Sequence, residues 1–300
     1  SRTIENDRDR KMTIITTTFI SCGAKLPIIA MISGALFDNS PWIAPSAYFV
    51  GIAAIVISGI ILKKTKLFSG DPAPFVMELP AYHWPTMGNL LRSMWERGWS
   101  FIKKAGTIIL LSTIVIWFLS FFGWADGTLG MRAFTMLEED QMDCSILAYF
   151  GRGICWLFQP LGWGNWQATV AAITGLVAKE NIVGTMGVLY GGTEAYTNMA
   201  AVFTGITGMS FLIFNLLCAP CFAAMGAIKR EMNSAKWFWF AIGYECGFAY
   251  VVAFLVNQFG MLFTGTVNGA LAVVEVCFAF AVLASLIYMI CRKDKYKSKI

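Results

Sequence analysis

Three cysteines in this chain stand where sulfur could meet a metal ion. Cys22 lies in Ser21-Cys22-Gly23-Ala24-Lys25-Leu26-Pro27, and Cys218 and Cys221 lie in Asn215-Leu216-Leu217-Cys218-Ala219-Pro220-Cys221. Their thiols, the Asn215 carboxamide and the carbonyls that each proline frees form a mixed sulfur and oxygen donor set. Such a set suits a divalent first-row ion better than Na⁺ or K⁺. It should hold the ion weakly, as passage requires, whereas a four-cysteine cage would not release it. The Cys-x-x-Cys spacing of Cys218 and Cys221 equally fits a redox pair.

A second group lies in Thr174-Gly175-Leu176-Val177-Ala178-Lys179-Glu180-Asn181. Charges deep in an apolar segment are functional candidates by default. Neighbours in sequence do not face each other on a helix, so Lys179 and Glu180 need separate partners, or the helix is opened there. Glu180 is a candidate metal ligand beside Cys22, Asn215, Cys218 and Cys221. Lys179 is a counter-charge, or the two charges simply fix packing. Lys25, Pro27, Lys179, Pro220, Met225 and Glu245 make up the expected gate and permeation group. Glu275, in the last apolar segment, has no evident partner. His83, the single histidine, is five residues from Glu78 in a proline-rich stretch and makes a poor metal site.

These residues must be positioned inside lipid. With 57% apolar and 14% charged residues and a mean hydropathy of +0.63, the chain falls outside the range of soluble domains, where charge runs to about 25%. At ~20 residues per spanning helix, apolar segments occur at 12–36, 43–62, 105–124, 166–190, 200–228, 237–257 and 268–291. A weaker one lies at 144–163. The expected fold is therefore all-α: a polytopic membrane helix bundle of about eight hydrophobic segments. Four regions are expected: 1–62, the first break and following span; 63–104, a Pro-rich segment and an interfacial amphipathic helix; 105–236, further spans and the second break; and 237–300, a carboxy-terminal hairpin and basic tail.

The net charge of +5 is explained by position rather than by nucleic acid. Apart from Lys25, Arg132, Arg152 and Lys179, all the Lys and Arg fall in 1–11, 63–104, 229–236 and 292–300. The positive-inside rule makes those stretches, and both termini, cytoplasmic. Cys22 is then about 16 Å along a helix from Lys11, and Cys221 about 12 Å from Lys229. Both are deep. Glycine, proline and a charge at that depth survive only where the backbone is buried in protein or lines a watery cavity. The short match of Ser21-Cys22-Gly23-Ala24 to Pro220-Cys221-Phe222-Ala223, in segments running oppositely, has the pattern of an inverted repeat.

Taken with Arg8-Asp9-Arg10-Lys11, Glu78-Leu79-Pro80-Ala81-Tyr82-His83-Trp84-Pro85, Ala178-Lys179-Glu180-Asn181 and Cys218-Ala219-Pro220-Cys221, the Ser21–Pro27 motif resembles the membrane domain of bacterial ferrous iron transport protein B. The resemblance runs from Arg2 to about Gln258, in matching order and spacing. It implies Fe²⁺ uptake across the bacterial inner membrane, with Cys22 in the first of the family's two gate regions and Cys218 and Cys221 in the second. Ser21 stands where the family often has proline. Family members carry an amino-terminal G-protein domain, and no Gly-x-x-x-x-Gly-Lys-Ser/Thr loop occurs here. GTP and Mg²⁺ are therefore expected only through such a domain or a separate GTPase subunit, and the chain reads as the back part of something longer. The expected partners are Fe²⁺, the lipid bilayer, a GTPase domain, a small cytoplasmic accessory protein and further copies of the chain. A membrane thiol oxidoreductase using Cys218 and Cys221, and a transporter of an organic solute such as a nucleoside, are the alternatives.

Overall fold

The computed structural model of the chain describes residues 4, 6–65, 67–68, 86–126, 132–136, 143–191, 194–266 and 270–292. His83, Glu78 and the Pro-rich stretch around them lie outside these residues. Twelve α-helices follow one another: α1 (Asp7–Thr17), α2 (Leu26–Leu36), α3 (Ile43–Lys63), α4 (Met87–Phe121), α5 (Ile146–Ile154), α6 (Trp166–Val177), α7 (Asn181–Leu189), α8 (Ala195–Val202), α9 (Gly205–Leu217), α10 (Phe222–Met232), α11 (Ala235–Thr264) and α12 (Ala270–Cys291). Among the described residues, four stretches are long and apolar enough to cross a membrane: Ile43–Lys63, Gly205–Met232, Ala235–Thr264 and Ala272–Cys291.

Two features add detail to the sequence expectation. The amphipathic helix and the following span form one 35-residue helix, α4. No proline interrupts Met87–Phe121, so nothing local ends the helix where its surroundings change. After α4 comes a hairpin, β1 (Phe122–Asp126) antiparallel to β2 (Arg132–Met136), whose register sets Trp124 opposite Phe134. Apart from this short hairpin the described elements are helical, as an all-α bundle requires.

Two apolar clusters organise the bundle. The larger gathers Phe19, Ile28, Ile32, Ala171, Ile182, Phe211, Leu216 and Ala249 from around α2, α6, α7, α9 and α11. The smaller joins Ile14 and Ile15 of α1 to Leu62, Phe68, Ile228 and Met232 of α10, and Ala241. Thus α1 and α10, the halves nearest the basic stretches, share one cluster, and α2 and α9 share the other. Small residues permit the closest approaches, as expected in membranes. A Cβ on Gly51 of α3 would lie 2.9 Å from the Phe19 carbonyl oxygen, and one on Gly208 would overlap Leu36.

Candidate functional site

The first broken segment stops being helical after Thr17. Thr18 to Cys22 lack helix, Gly23–Lys25 form one 3-10 turn, and α2 starts at Leu26 with Pro27 in its first turn. Proline is tolerated there because the amide it lacks would have no intrahelical partner. The second break is similar in kind. α9 ends at Leu217, Cys218 and Cys221 both have extended backbone (φ −62°, ψ 161°), and α10 begins at Phe222. A third break falls at Ala178, where an extended residue (φ −149°, ψ 129°) separates α6 from α7. The Lys179 and Glu180 motif therefore opens the helix.

The three breaks are joined by lysines. Lys25 is 3% exposed, and its Nζ donates to the Leu216 carbonyl at 2.6 Å, with the Thr18 and Ile20 carbonyls each at 3.4 Å. Lys179, equally buried, donates to the Asn215 carbonyl at 3.2 Å. Both ammonium groups thus sit at the carboxyl end of α9. The last carbonyls of a helix lack intrahelical partners and carry the negative end of its dipole, so a cation is favoured there. The carbonyls expected to be free for a metal ion are held by side-chain cations in this conformation.

Cysteines lie in the neighbourhood of both lysines. Lys179 lies within electrostatic reach of Cys218, Cys246, Cys221 and Cys22, and Lys25 within reach of Cys22, Cys218, Glu245 and Lys179. Cys218 is buried, Cys221 half-buried and Cys22 exposed. Cys218 Sγ touches Cys246 Sγ of α11 at 3.5 Å. Asn215 spends its amide on the Phe211 carbonyl, at 2.9 Å, and leaves Oδ1 buried without a hydrogen-bond partner. Glu245 is fully buried. The Thr18 hydroxyl lies 2.9 Å from its Oε1, and its Oε2 has no partner. Met225 lies on α10 and packs against the main core, while Pro220 is half-buried and Pro27 exposed.

Glu180 is not among these groups. It is exposed, in a groove of about 270 Å³ with Asn181 and Thr185 of α7 and Ile116, Trp117 and Ser120 of α4. Glu275 finds its partner in Gln258, whose amide donates to it at 3.0 Å and to the Pro160 carbonyl at 3.1 Å. Sequence reasoning missed the contact between Cys246 and Cys218 and the anchoring of both lysines on α9. No local pattern announces a contact between separate helices. Among the described residues, no three His, Cys, Asp or Glu side chains are close enough together to hold a metal ion.

Comparison with known proteins fits this architecture. A family model described as Ferrous iron transport protein B C terminus matches residues 44–97, and one described as Nucleoside recognition matches residues 102–235. The chain is 38% identical over 266 residues to an Fe(2+) transporter FeoB of Methanocaldococcus jannaschii, covering 87% of this chain and 39% of that protein. It is 36% identical to the Fe(2+) transporter FeoB of Staphylococcus aureus, covering 88% of this chain and 38% of that one. An Fe(2+) transport protein A/Fe(2+) transporter FeoB fusion protein of Porphyromonas gingivalis is 33% identical, covering 88% of this chain and 36% of its own length. No solved structure matches the chain significantly. The chain spans about two fifths of the length of these relatives. Broken segments, family models and relatives agree: the chain belongs to the ferrous iron transport protein B family, as part of its membrane region.

Proposed function

We propose that the chain is the membrane part of a bacterial inner-membrane transporter that passes Fe²⁺ along a route lined by Cys22, Cys218 and Cys221. The observation that carries this reading is the meeting of the broken segments at the carboxyl end of α9, where Cys218 caps the helix beside carbonyls held by Lys25 and Lys179. Thiols accept a borderline ion such as Fe²⁺, and carbonyls complete its shell. Lysines on those carbonyls keep the route closed, because an arriving cation must displace them. Asn215 Oδ1, buried and unpaired, is a ready oxygen donor. Glu180, in its separate groove, serves as an outlying ligand at most.

Both termini are cytoplasmic in this reading. The two gates form an inverted repeat, supported by the shared packing of α1 with α10 and by the run of α1 toward its break and of α10 away from its own. A GTPase domain or subunit, a small accessory protein and further copies of the chain complete the transporter. The fusion protein of Porphyromonas gingivalis, by its name, joins a transport protein A to such a transporter.

Radioactive iron uptake by an iron-starved host tests the route, with the chain expressed alone or joined to a family G-protein domain. The Cys22→Ser, Cys221→Ser double variant should lose uptake, and normal uptake would overturn the thiol-lined route. The match to a model described as Nucleoside recognition keeps an organic-solute transporter as a second reading. Uptake that other divalent metals inhibit and nucleosides do not decides for iron.

A further inference from the structure

We propose that Cys218 and Cys246 form a peroxide-sensitive thiol pair that closes the iron route when oxidised to a disulfide. The sulfurs already touch, at 3.5 Å, and both are free thiols. The pair joins two elements. Cys218 caps the carboxyl end of α9 at the second break, and Cys246 lies within α11, the helix against which α9 packs most extensively. Cys221, which the Cys-x-x-Cys spacing offers as an alternative partner for Cys218, starts α10 from an extended backbone.

Half-buried Cys246 is the more accessible of the two and reacts first, while Cys218 is buried. A hydroperoxide transfers one oxygen to the Cys246 sulfur: the O–O bond breaks, an S–O bond forms, and with hydrogen peroxide one water leaves. The Cys218 sulfur then attacks the sulfenic sulfur. The S–S bond forms, the S–O bond breaks, and the thiol proton leaves with the departing hydroxide as a second water. Two thiols and one peroxide thus give one disulfide and two waters, with sulfur oxidised and peroxide oxygen reduced. The product removes one thiol from the route and ties the link between α9 and α10 to α11. That consequence for transport rests on the thiol-lined route; formation of the disulfide does not.

The test uses membranes of a host expressing the chain joined to a family G-protein domain, treated with hydrogen peroxide and washed before iron is added. Peptide mapping without reduction should show Cys218 linked to Cys246, and uptake should fall several-fold and return with a phosphine reductant. Cys246→Ser should transport normally before treatment and keep its uptake afterwards, with Cys246→Ala as a second variant and gel filtration confirming that both fold. A Cys218–Cys221 link, no link, or equal peroxide sensitivity in folded Cys246 variants would overturn the proposal. So would a complete Cys218–Cys246 link that leaves parental uptake unchanged. Failure of the thiol route alone appears elsewhere, as normal untreated uptake by the Cys22→Ser, Cys221→Ser variant.

Discussion

Lys25 connects parts of the molecule that no helix connects. Its ammonium reaches one carbonyl at 2.6 Å and two at 3.4 Å, drawn from two breaks, whereas Lys179 reaches a single carbonyl at 3.2 Å. Buried polar groups left without partners cost about 1–3 kcal/mol each. Lys25→Met, which keeps length but removes the charge, should therefore lower the thermal midpoint in detergent more than Lys179→Met does. Equal midpoints for the two variants would contradict the assignment of Lys25 as the main tie. Thiol accessibility gives a second check at this scale. In single-cysteine variants, a small thiol reagent should label Cys22 fastest, Cys221 next and Cys218 slowest, following their order of exposure.

The breaks hold their shape because neighbouring elements leave room for them. Gly51 of α3 lets the Phe19 carbonyl approach so closely that an added Cβ would sit 2.9 Å away, while Gly59 on the same helix has nothing within 4 Å. Overpacking typically costs about 1–3 kcal/mol, so Gly51→Val should lower the melting midpoint and Gly59→Ala should not. A similar constraint acts between α5 and α6. Gly162 has φ +87°, and a Cβ there would meet Asn257 Oδ1 at 2.5 Å. Gly162→Ala should destabilise the fold by more than about 1 kcal/mol, measured by denaturation in detergent, because both backbone and space exclude the side chain. Much at this scale was legible beforehand. Gly23, Pro27, Pro220 and the deep Lys179 each marked a break. The continuous α4 and the hairpin were not, because a helix with no local stop signal and a loop rich in aromatics can each be resolved in more than one way.

Across the whole molecule, the groups proposed as ligands divide between two places. Cys218 caps the carboxyl end of α9, and Glu180 faces α4. Glu180→Gln should therefore leave the labelling rate of Cys221 unchanged, and a marked change would show that the groove communicates with the breaks.

Sequence by itself determined the membrane character, the positions of the breaks and the kinds of donor near them. These are local properties, set by hydropathy over about 20 residues and by what glycine, proline and charge do to a helix in lipid. Only the tertiary structure decided which groups meet. The Lys25 to Leu216 bond spans 191 residues, Thr18 to Glu245 spans 227, and Cys218 to Cys246 spans 28. Each depends on how separate helices pack, which no periodicity within one helix encodes. For the same reason adjacent Lys179 and Glu180 parted: once the helix opens at Ala178, one side chain turns to α9 and the other to α4.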